Sequence, residues 1–257
     1  MINNFIIDHV LRGIMTKKNG EYMWSINQIT NPSLNVALSD TAQAVDALGT
    51  VIQEFDRGRS AEFGAENSIF DLSLYAAQMG RDVETGAKIV VPAFEEIDVT
   101  DATEYVTKKT PIAPIDKMYA LNGDGTLGTS FVVGTAASAT EFVYDEATHT
   151  ITLPTGLVAG SQLFVMYEYE SEKATAVTAN AVDFPKAGKF VLEVLGTDVC
   201  DPDTLIHAYV VFPNAKLDGN VDYTFATDGT HPFTIRAMQN YCDKEKKLFT
   251  IVIPEEE

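Results

Sequence analysis

The feature that most restricts the fold of this chain is its many short segments rich in β-branched and aromatic residues, separated by glycine, proline, asparagine or aspartate. Such segments are typical of β-strands joined by turns. The clearest strand candidates are Ser161–Glu170, Lys189–Leu195, Leu205–Phe212, Val221–Phe225 and Leu248–Ile253. Short strands at close spacing predict a mostly β protein, built as an antiparallel sandwich or barrel.

One segment has the period of a helix instead. Ser68 is followed three residues later by Asp71, which is the spacing of a capping box, although with Asp in place of Glu. The apolar residues that then recur at helical spacing are Ile69, Leu72, Ala76 and Met79. Gly80 stands where a left-handed residue ends many helices. We therefore predict one helix over about residues 68–79, with its apolar face in the core.

The chain divides into four parts at its turn-forming residues. Residues 1–20 contain short apolar pieces whose spacing does not mark one buried face, and we interpret them as an N-terminal arm. Residues 21–110 form the first half of a core, in which Thr50–Phe55 is a strand that ends in a charged turn at 56–59. Pro111 opens a compact β module over 111–175, and residues 176–257 complete the core. We expect this module to be separable, because proline and polar segments mark its limits.

Charge and cysteine content exclude several functions. The chain has 37 acidic and 18 basic residues, a net charge of −19, so its surface repels phosphate and disfavours binding to nucleic acid or anionic membranes. No apolar run is long enough to span a bilayer. Cys200 and Cys242 are too few for a disulfide framework or a zinc site, and we expect reduced, partly buried thiols. The N-terminus lacks the basic start of a secretion signal, which predicts a protein that is not exported by one.

Motifs for catalysis or cofactor binding are missing from the sequence. Gly123–Gly128 matches G-x-G-x-x-G, but it leads into a strand-like stretch rather than a helix, so we predict a hairpin turn. Asp198, Asp201 and Asp203 could form a cation site or simply be solvated turn residues, and the sequence leaves both open. We find no metalloprotease, serine-hydrolase or phosphate-loop pattern. The sequence therefore predicts no catalytic residue, no cofactor and no metal site, which indicates that the protein is not an enzyme.

Three stretches of the C-terminal third carry a resemblance to a known family. They are Val182-Asp-Phe-Pro-Lys-Ala-Gly-Lys-Phe-Val-Leu-Glu-Val, Ala208-Tyr-Val-Val-Phe-Pro-Asn-Ala-Lys-Leu-Asp-Gly and His231-Pro-Phe-Thr-Ile-Arg-Ala-Met-Gln. In these stretches the chain resembles the tail tube (major tail) proteins of bacteriophages. The stretch Thr148–Glu170 looks like the β insertion that some members carry. The resemblance implies a tail-tube type β-sandwich with one flanking helix, in a protein without catalytic activity.

The resemblance also implies partners and a location. The expected partners are further copies of the chain, in hexameric rings stacked into a tube, together with the tape measure and tail terminator proteins. Double-stranded DNA is expected to pass through the tube without specific binding, and no membrane is involved. The protein would be made in the cytoplasm of the host bacterium and end in the virion, as the conduit for genome delivery.

Two groups of residues are candidates for these contacts. The apolar residues of the arm should be buried against a neighbouring subunit, although they could also pack on their own: Ile2, Phe5, Ile6, Ile7, Val10, Leu11 and Ile14. The acidic stretch 82–110 is a second candidate arm. Its carboxylates are candidates to line an acidic channel or to occupy exposed loop positions: Asp82, Glu84, Glu95, Glu96, Asp98, Asp101 and Glu104.

Two other classes of function remain open at this point. The chain could be a different virion component, such as a baseplate, head-decoration or tail-terminator protein. It could also be a β-rich adhesin or carbohydrate-binding module, which would require an exposed aromatic platform, and Trp24 is its only tryptophan. Electron microscopy separates these classes, because only a tube protein forms uniform hollow filaments.

Overall fold

The computed structural model of the protein describes residues 4–86, 88–100, 103–241 and 244–254, with Ser39, Asp201 and Pro202 described by their backbone only. Strands make up 55% of the structure and helix 3%, with one helix in the described ranges. The sheets are antiparallel, apart from one short parallel pair. The predicted fold class is therefore confirmed. No helix within these ranges is long and apolar enough to cross a membrane.

The chain folds into two compact units, and the second is inserted into the first. The first unit comprises residues 1–83 and 177–257, and the second comprises residues 84–176. The elements of the first unit are β1 (Phe5–Thr16), β2 (Tyr22–Ile26), β3 (Ile29–Val45), β4 (Val51–Asn67), α1 (Leu72–Gln78), β14 (Ala187–Asp198), β15 (Asp201–Leu217), β16 (His231–Ala237) and β17 (Thr250–Val252). Those of the second unit are β5 (Glu84–Thr85), β6 (Ile89–Asp98), β7 (Glu104–Val106), β8 (Lys117–Leu121), β9 (Leu127–Val133), β10 (Glu141–Asp145), β11 (Thr150–Thr152), β12 (Gln162–Ser171) and β13 (Thr175–Ala176).

The second unit begins well before Pro111. This unit includes most of the acidic stretch 82–110, since β6 pairs along its whole length with β12. The sequence suggested that stretch as a second arm. Whether residues 111–175 can be removed without loss of the remaining fold stays a prediction.

The first unit is built on one curled sheet, which forms a half-barrel. Its strand order is β2-β1-β14-β15-β16-β4-β3, and β17 adds to β15 beside this path. Phe190 on β14 is fully buried at the centre of the core. Its ring centroid lies 5.6 Å from that of Trp24, 6.0 Å from that of Phe212 and 6.2 Å from that of Phe63. Aromatic residues from four strands thus meet at one point and fix the curl of the sheet.

Two details of the predicted strands are wrong. The charged residues 56–59 do not form a turn, because β4 runs unbroken through them with Gly58 paired to Asp40 and Arg59 to Leu38. Both faces of β4 are open to solvent there, so charged side chains fit on either side. Residues 221–225 form no strand. The Tyr223 ring lies 4.8 Å from the Phe70 ring, so this segment is positioned by ring packing instead of a hydrogen-bonded ladder.

The helix is present but shorter than predicted. It spans Leu72–Gln78 and begins after Asp71, whose Oδ1 accepts the backbone N–H groups of Ser73 at 2.8 Å and Leu74 at 2.9 Å. The predicted start at Ser68 is wrong, because Asp71 itself is the N-cap and needs no partner three residues earlier. At the other end Gly80 has φ of +72°, as predicted for a left-handed cap residue.

Replacing Gly80 by alanine should lower the free energy of unfolding by more than about 2 kcal/mol. The left-handed backbone alone costs an L-residue about 1–2 kcal/mol, and the new Cβ would lie 2.3 Å from the carbonyl oxygen of Phe184. Gly20→Ala is the matched control. Gly20 has φ of +87°, but no described atom lies within 4 Å of the position that its new Cβ would take. Urea unfolding measures both variants, and equal losses would refute the steric argument.

The second unit has its own sheet and its own core. The strand order is β6-β12-β8-β9-β10-β11-β7, with β5 and β13 forming a separate two-stranded pair. The buried centre consists of Met118, Phe142, Ile151, Leu163 and Val165. The G-x-G-x-x-G segment joins β8 to β9 as a hairpin, with Gly125 at φ of +80°. The predicted hairpin turn is therefore confirmed.

Candidate assembly surfaces

The most unusual surface of the first unit is a long two-stranded ribbon. Strands β3 and β4 pair from Ile29 and Asn67 at the base to Val45 and Val51 at the tip. Only the base of β4 contributes to the core, where Ala61, Phe63 and Ala65 are buried. We define the ribbon as residues 34–60. In β4 every residue from Val51 to Arg57 is exposed, so the ribbon faces solvent on both sides.

The exposed ribbon has an unexpectedly apolar surface. Large apolar side chains that are at least one-third exposed on it are Leu34, Val36, Leu38, Val45, Leu48, Val51, Ile52 and Phe55. An isolated two-stranded ribbon is only marginally stable in water, and a concentration of exposed apolar side chains marks an interaction surface. The ribbon therefore has the properties of a segment that is covered by another protein surface.

The tip of the ribbon is held in a defined shape. Asp46 Oδ1 accepts the backbone N–H groups of Leu48 at 2.9 Å and Thr50 at 2.8 Å. Gly49 has φ of +84°, which lets the chain reverse. The tight turn projects Leu48, which is 91% exposed. A preformed tip loses little conformational freedom on binding, which favours contact with a partner.

The apolar residues predicted to form an N-terminal arm lie in β1, which is an inner strand of the sheet. It pairs with β14 on one side, and its residues Gly13–Thr16 pair with β2 on the other. Val10 is buried in the core of its own unit, while Phe5, Leu11 and Ile14 are half-buried. Ile6 and Ile7 are 54% and 63% exposed. Ile2 lies outside the described residues.

The irregular spacing of apolar residues in this segment has a structural cause. The register between β1 and β14 shifts twice, between Ile7 and His9 and again between Val10 and Arg12. Each bulge inserts a residue and changes which face the following side chains occupy. The sequence alternation that identifies a half-buried strand is therefore interrupted, although the strand itself is continuous.

A charged group links three strands on the face of the sheet opposite the core. The guanidinium of Arg12 on β1 donates to the carboxylate of Glu193 on β14, and His207 Nδ1 on β15 lies 2.8 Å from the same carboxylate. Hydrogen bonding from Arg12 lowers the pKa of Glu193 despite its burial. The group therefore joins the middle of β14 to both neighbouring strands.

The predicted acidic positions do not form one cluster. Asp82 belongs to the first unit, Glu84 to β5, Glu96 and Asp98 to β6 and Glu104 to β7, and all five are exposed. Asp101 lies outside the described residues.

Glu95 differs from the other acidic positions because it is buried. It accepts hydrogen bonds from the Tyr105 hydroxyl at 2.8 Å, from the backbone N–H of Lys108 at 2.9 Å and from the Tyr167 hydroxyl. Burial and the bond to Glu95 raise the pKa of Tyr167 to about 12. Glu95 therefore anchors the segment after β7 and does not present its carboxylate to solvent.

The described residues provide no group of three or more His, Cys, Asp or Glu side chains that could hold a metal ion. Asp198 accepts the backbone N–H of Cys200 at 2.9 Å within the turn between β14 and β15, and Asp203 is exposed. Cys200 is exposed in that turn, so the prediction of a partly buried thiol is wrong for this residue. Cys242 lies outside the described residues.

A buried histidine joins α1 to the sheet. His231 is fully buried at the start of β16, with its ring stacked on Phe70 at a centroid distance of 5.2 Å. Its Nε2 lies 2.7 Å from Gln78 Oε1, and its Nδ1 accepts the backbone N–H of Asp71 at 3.4 Å. These partners fit the neutral ring, because one nitrogen donates and the other accepts. Burial lowers the pKa of His231, and the nearby Asp71 only partly offsets this.

Stability should therefore fall in mild acid. The folded-state pKa of His231 lies below the unfolded value of about 6.5, so the unfolded chain binds the proton more tightly and stability decreases as pH falls through that value. We expect up to about 1.4 kcal/mol of lost stability per pH unit from this group. Urea unfolding between pH 7.5 and 5.5 measures it. The His231→Gln variant keeps a donor for Gln78 and should show a shallower slope, and equal slopes would refute the assignment.

Comparison with known proteins assigns the chain to a family. A search of curated proteins finds no match for the chain. The sequence model of the YomU/Tube protein family matches residues 5–251, which includes every strand of both units apart from the last residue of β17. A match of this extent covers the ribbon, the N-terminal strand and the inserted unit in one alignment. The chain therefore belongs to the YomU/Tube protein family, consistent with a phage tail tube protein.

Proposed function

We propose that the chain is the subunit of a phage tail tube, which polymerises as stacked hexameric rings to form the conduit for genome delivery. Membership of the tube family supports a structural protein of the virion and implies that the chain is not an enzyme. The proposal of self-assembly rests chiefly on one observation, the ribbon that is exposed on both faces and carries large exposed apolar side chains.

The ribbon supplies the main contact between copies in this proposal. Each large apolar side chain that becomes fully covered contributes on the order of 1.5–3 kcal/mol. Because both faces of the ribbon are exposed and its apolar side chains extend from base to tip, neighbouring copies can cover it. Ile6 and Ile7 of β1 supply a further contact, since they are exposed while Val10 on the same strand packs into its own unit.

The channel lining follows from charge. A net charge of −19 per subunit keeps DNA from adhering wherever the acidic side chains face the channel. Asp82, Glu84, Glu96, Asp98 and Glu104 remain candidates for that lining because they are exposed. Glu95 is not retained, because its carboxylate is buried among hydrogen-bond donors. The ends of the tube would contact the tape measure and tail terminator proteins.

Negative-stain electron microscopy of the purified protein tests the proposal. We expect hollow filaments of uniform diameter, formed alone at high concentration or after addition of a tail-tip initiator. Single closed rings that never stack would favour another virion component, such as a tail terminator. A protein that stays monomeric with and without the initiator would refute the tube function.

A further inference from the structure

The second unit carries an exposed aromatic surface on strands β6 and β12. Strands β6 and β12 place Phe94 and Phe164 on the face opposite the core, because Leu163 and Val165 point inward from β12. The ring centroids are 5.9 Å apart, and the ring planes differ by 23°. Phe94 is 62% exposed. Near-parallel rings at this distance are offset rather than eclipsed, so part of each ring face stays uncovered.

The two rings border a shallow depression that also holds four polar side chains. The cavity has a volume of about 380 Å³ and is lined by Phe94, Glu96, Asp98, Lys108, Gln162 and Phe164. Gln162 Nε2 donates to Asp98 Oδ1 at 2.8 Å, which holds both side chains in place. The side chains of Glu96 and Lys108 are exposed, so both can be reached by a ligand.

This combination sets the chemistry of a ligand. An apolar platform favours a ligand with a flat apolar face. The carboxylates of Glu96 and Asp98 accept hydrogen bonds, while Lys108 and the amide of Gln162 donate them. The ligand must therefore carry groups that both donate and accept around an apolar face, which describes the hydroxyl groups and C–H faces of a pyranose ring.

We propose that this depression binds a neutral oligosaccharide. An anionic sugar is disfavoured because Glu96 and Asp98 line the cavity and Glu168 lies on the same face of β12. Glu96 and Asp98 are also candidates for the channel lining, so saccharide binding is expected of the unassembled chain, and its test is separate from that of filament formation.

Calorimetric titration of the full chain with cellohexaose, chitohexaose and maltohexaose tests this inference. We expect at least one of them to bind, with an affinity that is the same at low and high salt because the ligand is uncharged. Phe94→Ala should weaken that binding by at least about twofold, because it removes the exposed ring face on which the sugar would pack. Lys108→Met, which keeps the length of the side chain, should also weaken it.

Phe184→Ala is the matched control. Phe184 is 69% exposed, close to the 62% of Phe94, but it lies in the first unit. It should leave saccharide binding unchanged. The inference is overturned if none of the three hexasaccharides binds, or if Phe94→Ala and Phe184→Ala bind equally well. It is also overturned if only a lysine-rich peptide binds, with an affinity that falls with salt, because the depression would then be a protein-docking surface.

Discussion

A protein that carries both Ile52→Glu and Phe55→Glu should fold normally and fail to form filaments. Both side chains lie on the ribbon and are more than half exposed, so the folded monomer loses little packing when they are replaced. In an assembly that covers the ribbon, each substitution would bury an unpaired carboxylate, which costs several kcal/mol per site. Repeated at every subunit contact, that penalty should abolish polymerisation.

The readouts are filament yield by electron microscopy and thermal unfolding by circular dichroism. The matched control is Val158→Glu with Phe184→Glu, which adds the same charge at residues outside the range 34–60 that are 74% and 69% exposed. The control should assemble as the wild type does. If the ribbon variant assembles normally, the ribbon is not a contact between subunits.

Deleting residues 1–14 should abolish cooperative unfolding, not merely assembly. The deletion removes most of β1, including the buried Val10 and the pairing with β14. Among the described strands, β2 pairs with β1 alone, so the burial of Trp24 and Ile26 would be lost with it. Loss of a buried large side chain costs about 3–5 kcal/mol, and a domain has only about 5–15 kcal/mol of stability in total.

Circular dichroism and thermal melting measure this outcome. Deleting residues 1–4, which precede β1, is the control and should leave a cooperative transition. A chain lacking residues 1–14 that melts cooperatively but forms no tubes would instead support the interpretation of this segment as a detachable arm.

The parts of the fold that the sequence predicts correctly are those with local signals. Phe190, Leu192 and Val194 alternate with residues of the other face and indeed point into the core. The left-handed conformation of Gly80 was likewise predicted, because this glycine directly follows apolar residues at helical spacing. Both patterns depend on residues close in sequence, so no knowledge of distant partners is required.

The sequence predicts the strand Thr50–Phe55 within the ribbon, which β4 confirms. It does not predict the full length of the ribbon or the N-terminal strand, because their signals depend on distant or missing partners. In the ribbon, Leu38 and Arg59 are directly opposed, so apolar and charged residues mix without a buried face to separate them. In β1, two bulges interrupt the alternation. The aromatic depression was missed for another reason. Phe94 and Phe164 are far apart in sequence, and only the pairing of β6 with β12 brings them together.

The insertion of one unit into the other sets an order for folding during synthesis. Thr16 of β1 and Lys189 of β14 are paired in the sheet but lie 173 residues apart in sequence. The second unit is contiguous, so it can fold as soon as residue 176 has left the ribosome. The first unit must wait for β14, and closing so long a loop is slow. Until then β1 and β2 expose the side chains that later form the core, so the nascent chain passes through a state that is prone to aggregation.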